Sequence, residues 1–339
     1  MHSLHFHVPV SNTLCNRKDR RMKIVFLEAG SLGNDMDFTS FEKFGDTLVY
    51  ENTTSKECKT RTKDADIIIC NKLKMCEDTL KNARNLKLIC ITATGTNNID
   101  RDYLVQRGIA VTNVTGYSTD SVAQHTFALY FYLAEKMRYY DEFVKDGSYA
   151  ASASFTNLDK KFQELSGKVW GIIGLGNIGR KTAQIAEAFG CRIVYYSTSG
   201  NNNQIGYKRL ALDEFLSQAD VISIHAPLNE KTEKLLGQKE FQIMKKSALL
   251  INVARGPIID EQALYDALVN DRIAGAGLDV LETEPMSASN PLMQIQDSCK
   301  LVITPHIAWA AVECRERLLR LVAENIESYQ KGGRLSRVI

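Results

Sequence analysis

A glycine-rich turn between a predicted strand and a predicted helix constrains the fold of this chain more than any other feature. The apolar run Val169–Ile173 leads directly into Gly174-Leu-Gly-Asn-Ile-Gly179, and a helix-compatible segment follows. In such a turn the first glycine permits the sharp bend, the second admits a pyrophosphate close to the backbone, and the third lets the helix pack on the strand. The helix N-terminus favours the negative phosphates. We therefore predict a nucleotide-binding α/β domain, against the alternative of a merely structural turn.

Apolar runs alternate with helix-compatible stretches on both sides of this turn. Five strands are predicted in the first part of the chain, at residues 24–27, 47–50, 67–69, 86–90 and 109–112. Six more are predicted from residue 168 onward, at 169–173, 192–196, 221–224, 248–252, 275–279 and 301–304. This alternation is typical of parallel sheets covered by helices. Because 339 residues exceed what one hydrophobic core supports, we expect two doubly wound parallel-sheet domains of the α/β class.

The chain is expected to cross between these two domains twice. Residues 118–136 are predicted to form a long, largely apolar helix, and residues 312–330 an amphipathic helix that packs back on the first domain. We therefore expect a discontinuous substrate domain formed by residues 22–117 and 308–339. Residues 118–307 then form the cofactor domain.

Two segments lack a clear pattern. The polar stretch at residues 146–164 is interpreted as a connecting or interface arm. Residues 1–21 are expected to be a disordered extension, with organelle targeting as the alternative hypothesis. This extension contains His2, His5 and His7, which we do not expect to bind metal.

Composition excludes several classes of function. The formal net charge is +2 and the basic residues are dispersed, which does not suit a nucleic-acid-binding protein. No run of about 18 apolar residues occurs, so no membrane span is expected. The eight cysteines contain no C-x-x-C pair and no zinc-like spacing with histidine. We expect free thiols, no metal site and a cytoplasmic location.

The end of the strand that follows the turn, which is the second strand of this domain, bears on cofactor choice. An acidic residue there usually holds the ribose hydroxyls of NAD, but residues 191–212 contain neither Asp nor Glu, and Ser197 takes that place. A hydroxyl can bind the ribose without repelling a 2′-phosphate. NAD is the favoured cofactor and NADP remains possible. Lys208 and Arg209 are interpreted as solvated charges in the following loop.

Three short segments after later strands carry groups suited to 2-oxo acid reduction. They are Asn252-Val-Ala-Arg-Gly256, Leu278-Asp-Val-Leu-Glu-Thr-Glu-Pro285 and Thr304-Pro-His-Ile-Ala-Trp309. The carboxyl ends of parallel strands form the ligand-binding edge of such a sheet. Reduction of a 2-oxo acid needs a cation to hold the carboxylate, a hydride donor and a proton donor. Arginine, nicotinamide and a histidine beside a carboxylate meet those needs.

These segments, in this order after the glycine-rich turn, resemble the D-2-hydroxyacid dehydrogenases. The similarity runs from about Met22 through nearly the whole chain and includes Ala93-Thr-Gly-Thr-Asn-Asn-Ile-Asp100, Glu164-Leu-Ser-Gly-Lys168 and His225-Ala-Pro-Leu228. The resemblance implies a flavodoxin-like substrate domain and a Rossmann cofactor domain. It also implies a homodimer, formed through residues 118–136 and 146–164.

The resemblance assigns catalytic roles to three residues. It implies Arg255 as the clamp for the substrate carboxylate and His306 as the general acid and base. Glu284 is implied as the carboxylate that favours the protonated imidazole, with the neighbouring Glu282 as the alternative partner.

The resemblance also implies two sets of binding residues. Substrate binding is implied for Thr94, Gly95, Thr96, Arg255 and Trp309. Cofactor binding is implied for Gly174, Gly176, Asn177, Ile178, Gly179, Ser197, His225, Pro227, Ala254 and Asp279. Asp279 is expected to contact the nicotinamide carboxamide, with a strand-end cap as the alternative. His125, in an apolar helix, is expected to be a structural histidine bonded to backbone.

One branch of the family fits best. Trp309 and the segment at residues 94–100 resemble the glycerate dehydrogenase/hydroxypyruvate reductase branch, so hydroxypyruvate or glyoxylate is the expected substrate. An interaction protein of the corepressor type, which senses nicotinamide cofactors on the same fold, is the alternative function.

Overall fold

The computed structural model describes residues 20–201 and 206–339, which divide into two compact units. The first unit takes in the described residues up to Thr115 together with Leu318–Ile339, and the second is Gly116–Arg317. Most of the predicted N-terminal extension, with its three histidines, lies outside the described residues. Arg20 is described, and its guanidinium pairs with the carboxylate of Asp66 at 2.7 Å.

The first unit is built on a five-stranded parallel sheet. Its strands are β1 (Lys23–Phe26), β2 (Asp46–Val49), β3 (Ile67–Cys70), β4 (Leu88–Ile91) and β5 (Ala110–Thr112), in the order β2-β1-β3-β4-β5. Its helices are α1 (Ser55–Arg61), α2 (Glu77–Leu80) and α3 (Arg101–Gln106). This strand order is the flavodoxin-like one, so the predicted fold of this unit is confirmed.

The central strands of this sheet are buried on both faces. Every residue of β3 and β4 is buried, which explains why both strands are continuous apolar runs rather than alternating ones. At the β5 end of the sheet, residues 336–339 form backbone hydrogen bonds with Val111 and Asn113; one of these joins Val338 N to Val111 O at 2.9 Å. The sheet edge is therefore covered by residues 336–339.

The second unit contains a seven-stranded parallel sheet. Its strands are β6 (Val169–Ile173), β7 (Arg192–Tyr196), β8 (Lys208–Arg209), β9 (Val221–Ile224), β10 (Leu249–Asn252), β11 (Gly275–Leu278) and β12 (Leu301–Ile303). Their order is β12-β11-β10-β9-β6-β7-β8, which is the Rossmann order with one further strand. The six predicted strands are confirmed. The interpretation of Lys208 and Arg209 as loop residues was wrong, because they pair with Val194 and Tyr195 of β7.

Helices cover this second sheet. They are α4 (Thr119–Ala134), α5 (Met137–Lys145), α6 (Asn177–Ala188), α7 (Leu212–Gln218), α8 (Gln238–Ile243) and α9 (Glu261–Val269). The predicted helix at 118–136 ends earlier than expected, since Lys136 has a φ of 54° and a separate helix, α5, follows. The last helix, α10 (Val312–Gln330), has its predicted bounds; it begins in the second unit and ends in the first.

An apolar cluster lies on each face of the second sheet. One gathers the side chains of α7, α8 and α9, and the other packs α4 and α6 around the fully buried Trp170. The indole nitrogen of Trp170 donates to the hydroxyl of Ser223 at 2.9 Å, so its polar group is satisfied inside the core. Within residues 20–201 and 206–339, no helix has both the length and the apolar character needed to cross a membrane.

Candidate active site

The glycine-rich turn connects β6 to α6 as predicted, and each glycine has a distinct steric role. Gly174 has a φ of 90°, and a Cβ there would stand 2.8 Å from the Cα of Ala226. A Cβ at Gly179 would overlap the carbonyl oxygen of Gly174. At Gly176, by contrast, the Cβ position has no heavy atom within 4 Å from the described residues outside its immediate chain neighbours. The turn is therefore closed towards the protein and open on the side where a phosphate group can approach.

A cavity of about 760 Å³ lies against this turn in the second unit. Its walls include Gly174 and Gly176 from the turn, Ser197 after β7, and His225 and Pro227 after β9. These five residues were implied to bind a cofactor, and the fold brings them to one cavity. Asn177, Ile178 and Gly179 form the first turn of α6, whose N-terminal N–H groups favour an anion.

His225 gives this cavity an unsatisfied polar group. Both ring nitrogens of His225 are buried, and neither has a hydrogen-bond partner among the described residues. Burial lowers the pKa of His225 to about 3, so the ring is neutral and can offer one donor and one acceptor. Buried polar atoms without partners are costly, and a polar ligand in the cavity would satisfy them. The residues present therefore fit a dinucleotide.

The segment after β10 carries the predicted arginine. The buried side chain of Asn252 folds this segment: its Oδ1 accepts from Ala254 N at 3.0 Å and its Nδ2 donates to Arg255 O at 3.0 Å. The half-buried Arg255 donates from Nη1 to Ala254 O at 2.6 Å. Asn252 was part of a recognised motif, but its fixing of the Arg255 backbone was not predicted.

Gly256 joins this segment to the one after β11. A Cβ at Gly256 would overlap the carbonyl group of Leu281, so the two backbones are in direct contact there. Leu281 N in turn donates to Oε1 of Glu284 at 3.0 Å. Arg255 and Glu284 therefore stand on two segments that are packed against each other without an intervening side chain.

His306 lies after β12 and pairs with Glu284. Its Nδ1 is 2.7 Å from Oε2 of Glu284, and both side chains are partly exposed. The ring's other nitrogen, Nε2, has no hydrogen-bond partner within the described part of the chain and remains available to a ligand. Glu282 is exposed and does not pair with His306; its backbone N donates to Glu261 at 2.6 Å. A histidine with one nitrogen bound to a carboxylate and the other open is an arrangement suited to proton transfer.

Asp279 and His125 differ from the simplest expectations. The carboxylate of Asp279, which follows β11, accepts hydrogen bonds from Thr304, Ile307 and Ala308, and this fits the alternative given above, a cap at the strand end. Its contact with a carboxamide stays a prediction. The expectation that His125 bonds to backbone was wrong, because its Nε2 lies 3.0 Å from the hydroxyl of Thr304.

The remaining predicted substrate residues lie on separate elements. Thr94, Gly95 and Thr96 follow β4 in the first unit, where Asn113 donates to Thr94 O at 2.7 Å. Their backbone N–H groups donate to no partner in residues 20–201 and 206–339. Trp309, in the second unit, is half-buried against the apolar cluster around Trp170.

Comparison with known proteins gives a consistent result. Residues 127–308 match a family model described as D-isomer specific 2-hydroxyacid dehydrogenase, NAD binding domain. The chain is 36% identical over 319 residues to the hydroxypyruvate reductase of Blautia hydrogenotrophica, covering 92% of this chain and 98% of that protein. It is 35% identical over 311 residues to the glycerate dehydrogenase of Methylorubrum extorquens, covering 91% of this chain and 96% of that protein. A solved structure, the NADPH-dependent glyoxylate/hydroxypyruvate reductase of Sinorhizobium meliloti in complex with NADP and malonate, matches with a TM-score of 0.79. That match has 25% identity and covers 94% of this chain and 97% of the other.

Proposed function

Because this chain belongs to the family of D-isomer-specific 2-hydroxyacid dehydrogenases, we propose that it reduces hydroxypyruvate or glyoxylate with a nicotinamide cofactor. The observation that carries the proposal is the pairing of His306 with Glu284 at 2.7 Å. Glu284 lies on the segment whose backbone contacts the segment that holds Arg255. This is the set of groups that reduction of a 2-oxo acid requires.

In the proposed mechanism, Arg255 binds the substrate carboxylate and polarises the neighbouring carbonyl. When bound, the nicotinamide supplies the hydride. His306 donates the proton from Nε2 to the carbonyl oxygen, and Glu284 stabilises the imidazolium before the transfer. Oxidation of the D-2-hydroxy acid uses the same groups in reverse.

The unpaired backbone N–H groups at residues 94–96 support the proposal that this segment of the first unit binds a carboxylate. Successive backbone N–H groups that converge in a turn can form an anion-binding concavity. We therefore assign Thr94, Gly95 and Thr96 to substrate binding, and Trp309 to the substrate side chain. These roles follow from the proposed activity.

The direct test is a substrate panel run with purified protein, NADH and NADPH. Hydroxypyruvate and glyoxylate are expected to be reduced, and in reverse D-glycerate is expected to be oxidised while L-glycerate is not. The L-isomer is the matched control, since it differs from the substrate only at the reacting carbon. Cofactor binding without turnover of any 2-oxo acid would contradict the proposal and favour the interaction protein.

Ser197 is proposed to weaken discrimination between NADH and NADPH. Replacing Ser197 by Asp is expected to raise the ratio of kcat/KM for NADH over NADPH by about tenfold or more, because the carboxylate repels a 2′-phosphate. Both kcat/KM values are measured at one substrate concentration. Ser197→Ala, which removes the hydroxyl without adding charge, is the control. An unchanged ratio in Ser197→Asp would place the adenosine ribose elsewhere.

We also propose that the chain acts as a homodimer in the cytoplasm. Helix α5 has no buried residue, and the following arm exposes apolar side chains: Phe155 is 89% exposed, Leu158 76% and Phe162 54%. Adjacent apolar side chains in contact with solvent are typical of protein interfaces. A second copy of the chain is the proposed occupant of this face.

The double substitution Phe155→Glu with Leu158→Glu is expected to give a monomer. Light scattering should then report one chain mass of 38.0 kDa instead of two. Val105→Glu, at another exposed apolar position in α3, is the control and should stay dimeric. A wild-type protein that is monomeric at micromolar concentration would overturn the dimer.

A further inference from the structure

The backbone of His306 adopts a conformation that must be held by its surroundings. Its φ is 57°, in the left-handed region that residues with side chains rarely adopt. Its N–H lies 2.9 Å from Asp279 O and 3.0 Å from Thr304 O, so the backbone is tied to the end of β11. The direction of the imidazole depends on this conformation being kept.

The carboxylate of Asp279 binds the chain on both sides of His306. Its Oδ1 accepts from the hydroxyl of Thr304 at 2.6 Å and from Ile307 N at 2.8 Å. Its Oδ2 accepts from Ala308 N at 2.8 Å. Asp279 is only 1% exposed, so these bonds are not exchanged with water.

His125 on α4 completes the arrangement through Thr304. Its Nε2 lies 3.0 Å from the Thr304 hydroxyl oxygen and 3.5 Å from Oδ1 of Asp279. Since the single hydroxyl proton of Thr304 goes to Asp279, Nε2 of His125 must carry the hydrogen that reaches Thr304. The chain of donors therefore runs from His125 through Thr304 to Asp279. Burial lowers the pKa of His125, although the Asp279 carboxylate opposes this shift, and a neutral ring suits this role.

We propose that His125, Thr304 and Asp279 form a positioning network that fixes the backbone of His306 and so directs its imidazole for proton transfer. The network rests on the proposed role of His306 but goes beyond it, because none of the three side chains need touch the substrate for this purpose. A network of hydrogen bonds in the protein interior is strong when every member is satisfied. Loss of the Thr304 hydroxyl removes the acceptor that lies 3.0 Å from Nε2 of His125 and one of the donors to Asp279, and leaves only the 3.5 Å contact between these two side chains.

The decisive variant is Thr304→Val, which keeps the shape of the side chain and removes the hydroxyl. It is expected to lower kcat about tenfold or more with KM for NADH unchanged, because a displaced catalytic group affects the reacting geometry rather than cofactor binding. Thr304→Ser restores the hydroxyl and is expected to recover kcat to within about threefold of wild type. Thr126→Val is the matched control: Thr126 is also buried, lies next to His125, and bonds only to Val122 O of its own helix.

A second readout does not depend on turnover. In protein labelled with ¹⁵N-histidine, the Nε2–H proton of His125 is expected to be protected from exchange in wild type and Thr304→Ser and unprotected in Thr304→Val. The ring nitrogen shifts of His306 should change in Thr304→Val alone. If the wild type turns over no 2-oxo acid, the proposed function fails and these spectra still decide the network. Wild-type kcat in Thr304→Val, a Thr304→Ser variant as slow as Thr304→Val, or identical spectra would overturn it.

Discussion

Replacing His306 by Asn is expected to lower kcat for hydroxypyruvate reduction by about a thousandfold, within the range that a general acid contributes. The physical reason is that Asn keeps a polar side chain but has no acidic group that can give up a proton in the reaction. The pocket around Gly176 and His225 is untouched by this change. NADH affinity, measured by fluorescence titration, should therefore stay within about twofold of wild type.

Variants of the two nearby glutamates test the partner of His306. Glu284→Gln removes the charge that lies 2.7 Å from the imidazole and is expected to lower kcat by about tenfold or more. Glu282→Gln makes the same chemical change two residues away, at an exposed side chain, and should leave kcat unaltered. Loss of NADH binding in His306→Asn would instead assign His306 to cofactor binding. Equal losses of kcat in Glu284→Gln and Glu282→Gln would contradict the specific pairing of His306 with Glu284.

Replacing Arg255 by Lys is expected to lower kcat/KM for hydroxypyruvate by about a hundredfold, although the positive charge is kept. Lysine cannot form the two parallel hydrogen bonds with a carboxylate that the planar guanidinium forms. The Arg255 backbone is fixed by Asn252 and by the contact at Gly256, so the shorter reach of a lysine head group is not compensated by movement. The measurement is a steady-state series in hydroxypyruvate at saturating NADH.

Arg272→Lys is the matched control for this prediction. Arg272 also lies in the second unit and donates to a backbone carbonyl, that of Gln242, at 2.5 Å. The same substitution there should change kcat/KM little, even if stability falls. An Arg255→Lys enzyme with wild-type kcat/KM would show that another group holds the substrate carboxylate.

The sequence predicted the fold well where local pattern and burial agree. The runs that became β3 and β4 are apolar throughout because both faces of a parallel sheet are covered, and the same is true of β6. Strand β8 escaped prediction because it consists of Lys208 and Arg209, which are held by pairing with β7 rather than by burial. No local pattern of side chains can reveal such a strand.

The same difference between local sequence pattern and tertiary contact applies to the candidate site. Arg255, Glu284 and His306 could be identified because each stands in a short segment with a recognisable order of residues. The contacts among His125, Asp279 and Thr304 could not, because these residues are separated by 154 and 25 positions and meet only after the sheet has formed. Hydrogen bonds between distant segments depend on the tertiary fold.

The pairing of residues 336–339 with the outer edge of β5 limits the order in which the two units can finish folding during synthesis. The five strands of the first sheet leave the ribosome early, yet the outer edge of β5 is paired only when residues 336–339 have been translated. The second unit, by contrast, is one continuous segment and can finish folding before that point. The first unit, most of which is synthesised first, therefore completes its sheet last. Until then the outer edge of β5 is open in the nascent chain and can mispair with other chains.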